Sequence, residues 1–253
     1  HMLEDGGRTA FWMFTEPPML SRYRPKLLYQ RRFVDLVGKL EAGLIWLVDV
    51  DISFTSAQLQ VIYSRWHCAF AGRGPPLVSQ PLITPSTQAF WSVHASAWTH
   101  GGELADVHGG ELADVQDALG DEVDAAESSF VEMQAPLLDM HFFSWLMRHA
   151  GNALAQLQEQ LHSDTGLDML WCGAAREYAR EVLRQPARVG CALITVPVYH
   201  TNAKQIPKTS AYDAASGTLW RFVHGFHPEW YHNPFGHLTA SKAREVSRRH
   251  CTT

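Results

Sequence analysis

The stretch Leu44-Ile45-Trp46-Leu47-Val48-Asp49-Val50-Asp51-Ile52-Ser53-Phe54 decides how the chain is read. Its first five residues form an unbroken apolar run of strand length. Both faces of such a run require burial, which predicts a central strand in a layered sheet. Asp49 and Asp51 follow at once. On an extended chain residues i and i+2 point to the same side. The pair is therefore expected at the strand's carboxyl edge, where open α/β sheets bind ligands. Two neighbouring carboxylates repel unless a cation or proton intervenes. A hard divalent cation takes carboxylate and phosphate oxygens together, so the pair could clip a diphosphate to the protein. Exposed turn residues or a helix N-cap would leave the same sequence signature.

Working outward, residues 27–40 place apolar side chains three to four apart, a helical spacing that Gly43 ends. Residues 8–15 read as a strand stopped by Pro17-Pro18. After the Asp pair a helix is expected over 56–70, capped by Thr55 or Ser56. A turn at 72–76 and strands at 77–83 and 89–97 follow. The unit HGGELADV then occurs twice in tandem over 100–115. Two such short copies cannot stack a core, so they read as a duplicated surface loop, extended by the acidic stretch 117–127. A short strand at 130–133, one long amphipathic helix over 138–161, a helix over 168–183 and a strong strand over 189–198 come next. The last of these ends at Tyr199-His200. The tail from Leu219 is rich in Trp, Phe, Tyr and His, and 240–250 reads as a basic helix. Strands interleaved with helices predict an α/β layered sheet.

The composition is globular: apolar residues make up 46% and charged residues 19% of 253, with 9 Trp and 12 Phe. A net charge of −5 argues against a nucleic-acid partner, which favours a basic excess. No apolar run is long enough for a transmembrane segment. Cys68, Cys172, Cys191 and Cys251 are far apart and form no CxxC. Neither a disulfide framework nor a Cys-rich zinc site is indicated by them, and the redox compartment stays open.

Four further positions could carry chemistry. His200, at the end of a strong strand, offers an imidazole to a divalent metal. With 14 histidines in the chain a structural role is as natural. Asp168, where Gly166 gives way to a helix, would be kept ionised by the helix dipole, as a general base must be. It could equally be a plain cap. Glu132 lies within the apolar FVEM and is either solvent-facing or part of a site. The tail holds His224, His227, His232 and His237 at spacings that match no zinc pattern, so a packed aromatic cap is the expectation.

Taken in order, KLLYQRRF, LIWLVDVDISF, VSQPLI, FVEMQAPLL with a Trp-containing helix, TGLDMLW and VYHTN resemble a plant and algal family of glycosyltransferase-like proteins. The resemblance runs from about Lys26 to about Asn202, and the duplicated loop falls where that family varies. It implies a GT-A-like mixed sheet flanked by helices over residues 3–218, with a variable loop at 99–128. The aromatic and His-rich extension, 219–253, is expected to pack on that domain. Only residues 8–15 and one helix precede the Asp-x-Asp strand, so the fold is expected to be short at its N-terminus, where a GT-A domain holds the nucleotide base. The resemblance implies an inverting transfer from a nucleotide-sugar donor to a glycan or other hydroxyl acceptor. It makes Asp49 and Asp51 donor and metal ligands, His200 a further ligand of manganese or magnesium, Asp168 the base and Glu132 a sugar or acceptor contact. It also implies secretory-pathway or Golgi residence. Two rival expectations are a non-catalytic relic that binds glycans or a partner, and an unrelated metal-dependent hydrolase. The second would require tail histidines to converge near Asp49 or Asp168.

Overall fold

A computed structural model of the chain describes residues 43–49, 51–84, 123–128, 130–132, 134–161, 168–200, 225, 227–230 and 246–248. The expected strands at 8–15 and 89–97, the helix at 27–40, the tandem repeat and the N-terminal shortness lie outside them.

The described strands are β1 (Leu44–Trp46), β2 (Ile52–Ser53), β3 (Val78–Thr84), β4 (Val123–Glu127), β5 (Leu137–Asp139), β6 (Cys191–His200) and β7 (Val246–Arg248). They form one sheet in the order β1-β5-β3-β6-β4-β7, with β2 paired to β6. β3 and β6 run parallel, whereas β1/β5, β2/β6, β3/β5, β4/β6 and β4/β7 are antiparallel. The helices are α1 (Ser56–Cys68), α2 (Met140–His149), α3 (Gly151–Leu161) and α4 (Asp168–Glu177). A π-turn over Tyr178–Val182 and a 3-10 turn over Pro228–Trp230 complete the set. The chain is thus an α/β protein with a mixed sheet and flanking helices.

Period-two alternation splits the core into two layers. Ala192, Ile194, Val196 and Val198 of β6 all face α1, together with Leu137 of β5. Val78, Leu138 and Ile45 face the other way, against α2, α3 and α4. α1 buries Ile62, Trp66, Ala69 and Phe70, a stripe at helical spacing across the helix and its C-terminus. Burying each of its larger side chains contributes roughly 1.5–3 kcal/mol. Thr55 starts α1 with a capping box: its hydroxyl accepts from the Gln58 N–H at 3.1 Å, and the Gln58 side chain accepts from the Thr55 N–H at 2.7 Å.

A buried ionic network fastens α1 to the sheet. Arg65 lies 3.3 Å from the carboxylate of Asp124 on β4. It also donates to the Thr195 carbonyl at 2.9 Å and hydroxyl at 2.8 Å. The Thr195 hydroxyl in turn donates to the Asp124 carbonyl at 2.9 Å.

Several expectations are corrected. Among the described strands β1 ends the path instead of lying at its centre, and Val48 is exposed. The fully buried strand is VSQPLIT of β3. Residues 123–127, read as loop, form β4, because Asp124 finds Arg65. Residues 130–132 form no ladder; instead Ser128 accepts from the Phe130 N–H and donates to its carbonyl. The long helix is interrupted: Leu137–Asp139 is a strand, the Asp139 carboxylate caps α2 at the N–H groups of His141 and Phe142, and Ala150 separates α2 from α3. Residues 246–248, read within a basic helix, form a strand paired with β4. Finally, Cys172 and Cys191 are disulfide-bonded with a Cα–Cα distance of 5.4 Å, and Cys68 is disulfide-bonded as well. Sequence spacing does not reveal partners that α4 and β6 bring together in space.

Candidate metal centre at the carboxyl end of the parallel strands

The chain leaves β1 after Trp46 but stays aligned with residues 134–136. The Leu47 N–H donates to the Pro136 carbonyl at 3.0 Å, and the Asp49 N–H to the Gln134 carbonyl at 2.8 Å. It then turns, the Ile52 N–H donating to the Asp49 carbonyl at 3.0 Å. This i to i+3 bond makes Asp49–Ile52 a turn, not an extended strand. The expected delivery of both carboxylates to one side of a strand is therefore corrected. Trp46 and Phe54, on either side of the turn, pack against each other with ring centroids 4.4 Å apart.

Beyond the turn, β2 pairs with the last residues of β6, Ile52 opposite His200 and Ser53 opposite Tyr199. This sets the Asp51 carboxylate 3.0 Å from His200 Nε2, although the two are 149 residues apart. Both side chains are partly buried. Thr84, the last residue of β3, lies opposite Tyr199, so the Asp51–His200 corner sits at the carboxyl end of the parallel pair. That is where α/β sheets place ligands.

The same 3.0 Å separation suits two arrangements. It is a hydrogen bond between carboxylate and imidazole. It is also the separation of adjacent donors around an octahedral ion with bonds of about 2.1 Å, which is roughly 3.0 Å. One carboxylate oxygen and one imidazole nitrogen are a suitable donor set for manganese or another first-row divalent metal. The residues fit the cation, and Asp51 and His200 are the ones that would hold it. Asp49 does not converge with them: among the described residues, Glu177, His227 and Glu229 form the trio of possible ligands lying within 4.8 Å of one another.

Glu132 is half-buried, and its N–H donates to Gln80 Oε1 on β3 at 2.6 Å. Gln80 is fully buried and leaves its Nε2 without a partner, as does Gln134 its Oε1. Buried polar atoms are seldom left unpaired, so the Gln80 donor on β3 and the acceptor on Gln134, whose carbonyl takes the Asp49 N–H, call for a water or a ligand. Sequence reasoning passed over both glutamines, since an amide in an apolar run carries no signal of its own.

Asp168 opens α4, as expected of a helix start. The structure does not bring it to this corner. It is one helical turn, roughly 6 Å, from Cys172, whose Cα is 5.4 Å from that of Cys191. Cys191 and His200 stand at opposite ends of β6, roughly 25–30 Å apart. Asp168 is therefore more than about 10 Å from His200. At that backbone separation Asp168 does not adjoin the Asp51–His200 corner.

Of the tail, the described residues 227–230 pack on α4 and α2. His227 lies flat on Trp230, with ring centroids 3.9 Å apart and an interplanar angle of 5°. Trp230 in turn packs against Trp145 of α2. His224, His232 and His237 lie outside the described residues. His227 faces Glu177, at the end of α4 opposite Asp168, so it does not supply the convergence that a tail-based hydrolase would need.

No family model, no curated protein and no solved structure matches this chain. Among the described residues no helix is long and apolar enough to cross a membrane.

Proposed function

We propose that the chain is a divalent-metal-dependent glycosyltransferase-like protein, GT-A-like in fold, that binds a nucleotide-sugar donor at the carboxyl end of β3 and β6. The observation that carries this reading is the meeting of Asp51 and His200 across 149 residues at that edge. A manganese or magnesium ion held there would offset negative charge on a leaving diphosphate. In this reading Asp51 and His200 fix the donor, and Asp49, on the same turn, lines its approach. Glu132 takes the acceptor side in place of Asp168, because the 132–134 segment reaches the Asp49 backbone. The unpartnered amide atoms of Gln80 and Gln134 suit a hydroxyl-bearing ligand. The Cys172–Cys191 disulfide suits an oxidising compartment, in keeping with secretory residence.

The test is calorimetric titration of UDP and GDP into metal-free protein with and without manganese. Manganese-dependent binding that disappears in Asp51→Asn and in His200→Ala supports the proposal. Absence of binding to either nucleotide by folded protein would refute it and leave the non-catalytic relic.

A further inference from the structure

A second group of ligand-type side chains lies far from the first. Glu177 ends α4, His227 immediately precedes the 3-10 turn of the tail, and Glu229 lies within it. One ligand atom from each falls within 4.8 Å of the others. His227 Nδ1 is 2.9 Å from Glu229 Oε1 and 3.9 Å from Glu177 Oε2. Two carboxylates thus converge on one ring nitrogen, which can carry only one proton. Arg180 senses both carboxylates, but its own Nε is bonded to Glu181 at 2.6 Å.

The surroundings hold these ligands in place. The Trp230 indole N–H donates to Glu177 Oε2 at 2.6 Å and so orients that carboxylate. The flat stack on Trp230 fixes the plane of the His227 ring. Gly173 on α4 lets this happen, since a Cβ there would overlap the Trp230 main chain. Outer partners of this kind are what orient the ligands of metal sites. His149, stacked on Trp145, has its ring centroid 5.7 Å from that of His227.

We infer that Glu177, His227 and Glu229 form a binding site for a zinc-class divalent ion, which clamps the 227–230 segment onto α4. Donors around a tetrahedral zinc with bonds of about 2.1 Å stand roughly 3.4 Å apart. The 2.9 and 3.9 Å separations bracket that value. A mixed set of imidazole and carboxylates is a zinc donor set, whereas magnesium and calcium favour oxygen alone. The site is independent of the proposed transferase site, being at the other end of β6.

The experiment is to strip the full chain with chelator, add zinc, and measure bound metal by elemental analysis. Cobalt as the added ion gives a visible spectrum that reports tetrahedral coordination. One equivalent should be retained by the parent protein and by the Asp51→Asn/His200→Ala variant. Retention should fall at least tenfold in Glu229→Gln and in His227→Gln, with far-ultraviolet dichroism unchanged. Zinc should also raise the unfolding temperature of the parent but not of Glu229→Gln. Failure of the parent protein to retain zinc, or retention unchanged in both tail variants, overturns the site. Loss of zinc only in Asp51→Asn/His200→Ala would overturn it too and assign the metal to the other corner.

Discussion

Replacing Cys172 and Cys191 together by alanine should cost a definable amount of stability. The disulfide joins residues 19 apart in sequence and ties α4 to the start of β6. Chain entropy for a closed loop of that size gives about 11 cal/mol/K, or about 3.3 kcal/mol at 25 °C. Both sulfurs are buried, at 1% and 2% residue exposure, so the small cavities left add to this figure rather than offset it. For a chain of this size each kcal/mol moves the melting temperature by roughly 2–4 °C. The double variant should therefore melt roughly 7–13 °C below the parent in a dichroism-monitored thermal scan. Substituting both positions leaves the disulfide at Cys68 in place, which bulk reduction would not. A fall of under about 2 °C, or modification of Cys172 in the unreduced, folded parent by a thiol reagent, would refute the reasoning.

Three further outcomes follow from other contacts. Asp124→Ala leaves the partly exposed Arg65 with its Thr195 bonds but without this carboxylate and should cost about 1–3 kcal/mol in urea unfolding; a loss below about 0.5 kcal/mol would mark the network as inert. Gly173→Ala gains about 1 kcal/mol of helix propensity, yet should destabilise the protein and shift tryptophan fluorescence, because the Trp230 backbone must move away; an unchanged spectrum would contradict the packing described. Glu229 has a lowered pKa in the folded protein, so its bond to His227 is present above the ordinary glutamate value and is lost as pH falls through the depressed one. Acid titration of tryptophan emission should accordingly show a transition below pH 4.5 that is absent in Glu229→Gln.

The parts of the fold that could be read from sequence are those fixed by local physics. The helix after Thr55 has its capping box in Thr55 and Gln58, three residues apart. The strands VSQPLIT and CALITVPVYH are apolar enough to be buried in any arrangement. What could not be read depends on partners distant in the chain. VDAAE looks like acidic loop until Arg65 arrives to pair with Asp124. Leu137–Asp139 has helical periodicity, but β1 and β3 recruit it as a strand and Asp139 becomes the cap instead. At the candidate centre the strand-end position of His200 was legible from the apolar run before it, whereas Asp51 lies on a turn and not at a strand end. Their pairing was not, because it depends on β2 doubling back against β6. Asp168 shows the same limit: a helix N-terminus can be recognised locally, but which end of the sheet it faces cannot.

β6 settles how the two candidate centres should be tested. Its first residues lie against α4, where a Cβ on Gly190 would stand 3.4 Å from the Arg176 nitrogen, beside Glu177. Its last residue is His200. One ten-residue strand therefore has the tail cluster near its start and the Asp51–His200 corner at its end, roughly 25–30 Å away. Substitutions that far apart, with no shared partner, add within a few tenths of a kcal/mol. A variant at one end should leave metal response at the other unchanged, and a combined variant should show the sum of both. Coupling well above that level would mean that β6 shifts as a rigid strut between the two ends, in which case the clamp on the tail would influence what the other corner binds.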